Sequence, residues 1–143
     1  MKGTYVLLLK LERSVTLKHG KKTSHLKPGY YAYVGSAMGG FSKRIPRYFL
    51  GTQKKHWHID YLLDHAQIAG LIMFYGRRLE EKLSRVLLSH FEGIEGFGAS
   101  DLRVKTCLFR VDPPELFSLL GGFHEDRDTR RSQKHRRKQD QGG

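Results

Sequence analysis

Two short segments place a tyrosine close to a glycine at the end of a strand-like run. Gly3–Tyr5 (GTY) opens the run GTYVLLLKL, and Tyr33–Gly35 (YVG) closes the run GYYAYVG. In an alternating strand Tyr31, Tyr33 and Gly35 share one face. A phenol at such a position either packs in the core or reaches a site, and these strands alone leave both readings open. Gly35 indicates either close approach of the backbone to a ligand or a sharp turn.

Charged side chains suited to phosphate chemistry follow on two predicted helices. Arg44 lies nine residues after Gly35 in the run GGFSKRIPRYFLG, and its planar guanidinium can donate paired hydrogen bonds to a phosphate. Glu80 and Glu81 lie in RRLEEKLSRVLLSHF, the clearest helical pattern of the chain. At about 100° per residue, the apolar side chains form one face with Glu80 at its edge and Glu81 roughly opposite. A carboxylate directed towards the sheet is the better cation ligand; the alternative is a solvated surface glutamate.

The combination resembles the GIY-YIG nuclease superfamily. The resemblance rests on GTY, YVG, Arg44 and Glu80, together with the segments GYYAYVGSA, WHIDYLL (Trp57–Leu63) and FGASD. These segments are most similar to one branch, described mostly as a domain of unknown function, over roughly residues 3 to 110. The resemblance implies an α+β fold with a small, mainly antiparallel β-sheet flanked by helices. The predicted order of strands and helices indicates the same architecture.

The resemblance also implies metal-dependent endonucleolytic hydrolysis of a nucleic-acid phosphodiester. Tyr5 and Tyr33 are then the motif phenols, one of which helps to activate the nucleophile, and Arg44 binds the phosphate. Glu80 holds a single divalent cation, Mg²⁺ or Mn²⁺, which needs few protein ligands because water completes its shell. His58 borders the site, where it orients a catalytic group or contacts substrate.

Four positions depart from the pattern of that branch. Tyr48 stands where a histidine is usual, and a tyrosine cannot easily act as an acid or base near neutral pH. Ala99, Leu102 and Val104 stand where cysteines are common, so no thiol-based metal or redox role is expected of that segment. The departures keep a second hypothesis open, a catalytically inactive nucleic-acid-binding module of the same fold.

The positive charge lies mainly in the N-terminal half. The chain has a net charge of +12, and residues 1–60 contain 12 Lys and Arg against only Glu12 and Asp60. A folded region this basic typically meets a polyanion, so we expect nucleic acid as the partner, DNA rather than RNA. The candidate contacts are Lys43, Arg47, Lys54 and Lys55. A basic face that serves only solubility is the alternative, and for Arg47 the two are about equally expected.

One domain is predicted over residues 1–122, followed by a basic, disordered tail over residues 123–143. Within the domain QIAGLIMFYG is expected to be a buried strand, and Pro46 requires that its helix either starts late or bends. The tail raises a third hypothesis, recruitment to a protein or RNA assembly. A single cysteine, Cys107, and the lack of a long apolar run or a signal peptide predict a cytoplasmic protein without membrane contact.

Overall fold

The computed structural model describes residues 1–19, 22–50, 58–97 and 106–122, and the side chains of residues 19, 22 and 58 lie outside that description. The described strands are β1 (Gly3–Leu11), β2 (Val15–His19), β3 (Lys22–Leu26), β4 (Gly29–Ala37), β5 (Gln67–Tyr75), β6 (Glu92–Gly93) and β7 (Leu108–Val111). The described helices are α1 (Phe41–Leu50), α2 (His58–Leu62) and α3 (Glu80–His90), with a further helix, α4, over residues 113–122.

Five strands form one antiparallel sheet in the order β5-β1-β4-β7-β6, and β2 pairs with β3 in a separate hairpin. The β1–β4 ladder is continuous from the Gly3–Ala37 pair to the Leu11–Gly29 pair. The GTY segment therefore lies where β1 begins, beside the end of β4. This register brings the two tyrosine-containing segments to the same end of the sheet.

Alternation along β1 decides what covers each face of the sheet. Its side chains on one face pack with α1, α2 and the β2–β3 hairpin to form a core. This core includes Tyr5, Leu7, Leu9, Leu17, Leu26, Tyr31, Phe41, Tyr48, Ile59 and Leu62. Val6 and Leu8 alternate with these residues and are buried on the other face. α3 packs against β4 and buries Leu83 and Leu87. The predicted α+β class, a small antiparallel sheet flanked by helices, is confirmed.

β5 is an edge strand, so the prediction that QIAGLIMFYG is a buried strand is right about the strand and wrong about its burial. Among the described strands β5 pairs only with β1. Exposed positions recur along it at Gln67, Ala69, Met73 and Tyr75. An apolar run can form either a central or an edge strand. The sequence pattern shows which faces of the strand are apolar, but not how many strands lie beside it.

Pro46 lies inside α1, which begins at Phe41 and ends at Leu50. The helix therefore does not start late, as one of the two sequence alternatives required. A proline at this position removes the hydrogen bond that an amide at residue 46 would donate to the Ser42 carbonyl. Both residues are exposed, so water can replace the missing donor.

The chain divides into two compact units, Met1–Val111 and Asp112–Gly143. Of the second unit the structure describes residues 112–122, which contain α4. Asp112 caps this helix, because its Oδ2 accepts a hydrogen bond from the Glu115 amide at 3.2 Å. The predicted tail over residues 123–143 lies outside the described residues. None of the helices that the structure describes is both long and apolar enough to cross a membrane.

Candidate active site

Tyr5 lies directly opposite Gly35 in the β1–β4 ladder. A Cβ atom on residue 35 would lie 2.3 Å from both Cζ and the hydroxyl oxygen of Tyr5. The Tyr5 ring therefore occupies the space that a side chain at position 35 would need. Gly35 marks the close approach of a phenol to the backbone. The last residue of GTY, Tyr5, faces the last residue of YVG, Gly35, and only a glycine there leaves room for the ring.

Helix α1 brings Arg44 and Tyr48 to the Tyr5 phenol. Arg44 and Tyr48 are four residues apart and share a helix face. The hydroxyl groups of Tyr5 and Tyr48 hydrogen-bond to each other, with ring centroids 5.7 Å apart. The Arg44 guanidinium donates to both phenol oxygens. Three side chains from two elements thus form one connected polar group at the end of the sheet.

Tyr33 and Glu80 lie next to this group. Tyr33 is partly buried on the face of β4 that packs against the core. Its hydroxyl lies within electrostatic range of Tyr48, Cys107 and Glu80. The thiol of Cys107 donates a weak hydrogen bond to Oε1 of Glu80 at 3.9 Å. Glu80 is therefore directed towards the sheet, as its place at the edge of the apolar helix face predicts.

The position of Glu80 depends on Thr4, a fully buried residue next to Tyr5. Thr4 Oγ1 donates to the Arg77 carbonyl at 2.8 Å and accepts a hydrogen bond from the Leu79 amide at 2.8 Å. Both partners lie in the segment that leads into α3, and the residue at the start of this helix makes no side-chain cap of its own. Strand β1 therefore fixes the helix end that presents Glu80.

Burial keeps the phenols of the site protonated. Desolvation is the largest of the causes that raise the pKa of Tyr5, Tyr33 and Tyr48 above the usual value for a phenol, and for Tyr5 and Tyr33 a neighbouring phenol raises it further. Burial alone would lower the pKa of Arg44, but the Tyr5 and Tyr48 phenols outweigh it and raise that pKa. The free protein therefore combines neutral phenols with a guanidinium cation.

The structure brings together the four residues on which the sequence prediction of a site chiefly rests, Tyr5, Tyr33, Arg44 and Glu80. Lys43 precedes Arg44 on α1 and is exposed. His58 begins α2, but its side chain lies outside the described structure, and Lys54 and Lys55 lie outside the described residues altogether. The predicted roles of these three residues stay predictions.

Arg47 has a structural partner in α2. Its Nη2 donates to Asp60 Oδ2 at 2.8 Å, and only 1% of the Asp60 side chain is exposed. A buried carboxylate is strongly destabilising when its cationic partner is removed. The ion pair therefore gives Arg47 a role in holding α1 against α2. Its predicted contact with nucleic acid stays a prediction.

Sequence reasoning gives no site role to three residues that take part in it, Thr4, Tyr48 and Cys107. It identifies Tyr48 only as a departure from the branch, although its spacing of one helical turn after Arg44 could have placed it on the same face. Thr4 lies inside the GTY segment, but its two partners are more than 70 residues away in sequence. Cys107 reaches Glu80 only because β7 pairs with β4, and no local pattern predicts that pairing.

Glu80 is the carboxylate through which this site can hold a cation. Within the described part of the chain, no three His, Cys, Asp or Glu side chains come together as a ligand group. Zinc usually requires three or four protein ligands. Mg²⁺ takes one or two carboxylates and keeps several waters. A single carboxylate beside phenol oxygens therefore fits a hard, hydrated cation such as Mg²⁺ or Mn²⁺ better than zinc.

Comparison with known proteins gives a family without an activity. The family model described as "Domain of unknown function DUF123" matches residues 4–127, a range that includes every residue of the site. No curated protein and no solved structure matches the chain. Because the family match spans most of the sequence, the chain belongs to the DUF123 family.

Proposed function

We propose that this protein is a nuclease-like domain of the GIY-YIG type, which hydrolyses nucleic-acid phosphodiesters with Mg²⁺ or Mn²⁺. The observation that supports it most directly is the convergence of Tyr5, Tyr33, Arg44 and Glu80 at one end of the sheet. These residues come from four different elements. The basic N-terminal half supports a polyanionic substrate, and DNA is the first one to test.

Arg44 supplies the contact with the scissile phosphate. Its guanidinium is partly exposed and is oriented by hydrogen bonds to Tyr5 and Tyr48. A phosphoryl oxygen that accepts from Arg44 therefore lies beside the phenols, where charge that develops on that oxygen meets a fixed cation. When bound at Glu80, a divalent cation would stabilise charge on the phosphoryl oxygens and make a coordinated water more acidic.

Tyr33 is the phenol best placed to orient the attacking water. The Tyr5 hydroxyl already bonds to Tyr48 and Arg44, whereas Tyr33 lies on the Glu80 side of the group. A neutral phenol accepts a hydrogen bond from water and donates its own proton to a neighbouring acceptor. Tyr33 and Glu80 therefore hold the nucleophile, while Tyr5 and Tyr48 hold Arg44 on the phosphate.

The test is metal-dependent cleavage of plasmid, branched and single-stranded DNA, with matched RNA substrates, by wild type and point variants. We expect Glu80→Gln to reduce the cleavage rate by about 100-fold or more, and Arg44→Leu and Tyr33→Phe by similar amounts. Glu81→Gln is the matched control, because Glu81 pairs with Arg85 on the same helix, with 2.6 Å between Oε1 and Nη2. Cleavage that Glu80→Gln and Tyr33→Phe leave unchanged would contradict the site assignment.

The cation is tested separately by NMR titration with Mn²⁺. Paramagnetic broadening should begin at the amides around Glu80 and be lost in Glu80→Gln, while Glu81→Gln retains it. Broadening centred elsewhere, or retained in Glu80→Gln, would contradict Glu80 as the ligand. This measurement needs no assumption about the substrate.

The raised pKa values of the phenols favour a second candidate, a binding module without catalysis. Tyr5, Tyr33 and Tyr48 are all held protonated by burial, and Tyr48 stands where the branch that the chain resembles usually carries a histidine. This candidate predicts salt-dependent DNA or RNA binding that survives Glu80→Gln. It also predicts that no products form with Mg²⁺ or Mn²⁺, so the cleavage assay separates the two candidates.

A further inference from the structure

Four exposed cations lie on the chain segments that adjoin the candidate active site: Lys2, Lys43, Arg77 and Arg78. Within the described part of the chain, none of their side chains has a hydrogen-bond or ion-pair partner. Two other arginines on the neighbouring helices differ, because Arg47 pairs with Asp60 and Arg85 pairs with Glu81. The four cations therefore present their charge to solvent beside the site.

The segment that presents Arg77 and Arg78 is held by β1 and by the residues before it. The Gly76 amide donates to the Lys2 carbonyl at 2.7 Å, and Thr4 accepts the Leu79 amide and donates to the Arg77 carbonyl. Gly76 has a φ of 73°, which favours glycine at this turn. The backbone that bears both arginines is thus fixed directly before Glu80.

The start of the chain also joins the other side of the site. The Met1 carbonyl accepts a hydrogen bond from the Phe41 amide at 2.6 Å, at the first residue of α1. Lys43 and Arg44 follow within the first turn of that helix. Cations from three separate segments are therefore placed around the site by backbone hydrogen bonds, and not by a single run of sequence.

The opposite end of β1 shows a different balance of charge. An open cavity of about 420 Å³ is lined there by Lys10, Arg13, Glu12 and Asp64, two cations and two anions. Like charges within a Debye length, about 10 Å at 0.1 M salt, repel one another and do not stabilise a fold. At the Tyr5 end the cations outnumber the site carboxylate Glu80, and this excess fits a polyanion that passes over it.

We propose that Lys2, Lys43, Arg77 and Arg78 form a phosphate-binding rim that holds a nucleic-acid strand across the candidate active site. The rim contacts the phosphates on either side of the one that Arg44 binds. The inference therefore rests on the proposed function for the position of the strand relative to Arg44. Arg78 lies two residues before Glu80, a separation of at most about 7 Å between their Cα atoms. Contacts of this kind position the strand and do not read its sequence.

The test is DNA binding by the full chain, measured by fluorescence anisotropy in EDTA over a series of salt concentrations. We expect the double variant Arg77→Ala/Arg78→Ala to weaken binding by about 10-fold or more near 0.1 M salt, and to lower the slope of log K against log salt by about 1.4 to 1.8. The backbone hydrogen bonds of the segment do not need these side chains, and an unchanged melting temperature would show that the fold is intact.

The matched control is Arg13→Ala/Lys18→Ala, which removes the same charge from exposed residues of the β1–β2 loop and β2. Arg13 lies beyond the far end of β1, about 30 Å from its first residue. We expect this variant to change the affinity by no more than about 2-fold, because Arg13 lies about three Debye lengths from the start of β1 at 0.1 M salt and neither residue belongs to the proposed rim. Equal losses in the two double variants, or full binding by Arg77→Ala/Arg78→Ala, would overturn the rim.

The outcomes also distinguish the rim from the nuclease proposal. Binding that depends on Arg77 and Arg78 without any metal-dependent cleavage would support the rim and contradict the nuclease. Cleavage that depends on Glu80 while Arg77→Ala/Arg78→Ala binds normally would support the nuclease and overturn the rim. Failure of the wild type to bind DNA or RNA at low salt would overturn the rim as well.

Discussion

Tyr5 and Tyr31 project from the same face of one antiparallel pair of strands, but their hydroxyl groups have different kinds of partner. Tyr31 donates to the Lys27 carbonyl at 2.6 Å and so closes the turn before β4. Tyr5 bonds to Tyr48 and Arg44, two side chains of α1. A backbone carbonyl nearby in sequence serves a local turn. Side chains brought by another element create a polar group that can meet a ligand.

The residue that faces each phenol on the neighbouring strand also differs. Tyr31 faces Leu9 across the ladder, so two large side chains pack together there. Tyr5 faces Gly35, and its ring fills the space where a side chain would stand. At this end the Tyr5 ring therefore packs against backbone, whereas at the other end two side chains pack against each other. The close approach of a phenol to the backbone distinguishes the site end from the structural end.

Among the variants that test this difference, Gly35→Ala is expected to have the largest effect on stability and cleavage. A Cβ at this position would lie 2.3 Å from the Tyr5 ring, so the phenol must move away from Tyr48 and Arg44. Overpacking of this kind costs about 1 to 3 kcal/mol of unfolding free energy, and cleavage should fall with it. Urea unfolding followed by circular dichroism measures the stability.

Gly39→Ala is the control, because a Cβ at position 39 has no neighbour within 4 Å. The same substitution there should leave cleavage unchanged and alter stability by less than about 1 kcal/mol. A similar loss of stability in both variants would show that the Tyr5–Gly35 contact is not the cause.

Thr4→Val should have the next largest effect, because it leaves two partly buried backbone groups without their partner. The Arg77 carbonyl loses its donor and the Leu79 amide loses its acceptor. We expect a loss of about 1 to 3 kcal/mol in unfolding free energy, together with slower cleavage because Glu80 is no longer held in place. Thr16→Val removes an exposed hydroxyl that bonds to His25, so it should cost much less. Equal costs would contradict the role of Thr4.

How much of this arrangement the sequence predicts depends on the range of the contacts. The strand and helix patterns predict β1, β4, α1 and α3, because each pattern is local. The helical period also places Glu80 towards the sheet and Glu81 away from it. Period and spacing therefore suffice for the side chains that lie within one element.

Contacts between distant elements are not predicted in the same way. The hydroxyl of Thr4 reaches Leu79, and the thiol of Cys107 reaches Glu80, only through the order of strands in the sheet. The exposure of β5 has the same origin, since an edge position is a property of the topology. The resemblance of the motifs selects the site residues, but the polar contacts that orient them follow from the assembled sheet.

Alkaline pH should destabilise the fold through the phenols at the Tyr5 end. An unfolded phenol ionises near pH 10, whereas the folded pKa of Tyr5 and Tyr33 lies higher because of burial. The folded state thus retains protons that the unfolded state loses, so the stabilisation is complete below about pH 10 and falls as pH rises above it. Each such phenol contributes a slope of about 1.4 kcal/mol per pH unit.

Urea unfolding at several pH values measures this slope. Tyr33→Phe removes one group and should make the loss of stability above pH 10 less steep, with no change in slope near neutral pH. An unchanged slope in Tyr33→Phe, or stability that increases with alkaline pH, would contradict burial of a protonated phenol at this position.

The smallest effect on stability is expected from removing the Tyr31 hydroxyl, and this variant tests most directly whether Tyr31 and Tyr5 have different roles. Tyr31→Phe leaves the Lys27 carbonyl without its donor and should cost about 1 kcal/mol of unfolding free energy, with no effect on cleavage or DNA binding. Tyr5→Phe should cost a similar free energy, since it too removes one hydroxyl, but it takes away a partner of Arg44 and should slow cleavage. Loss of cleavage in Tyr31→Phe, or full activity in Tyr5→Phe, would show that the two phenols are not divided between structure and site.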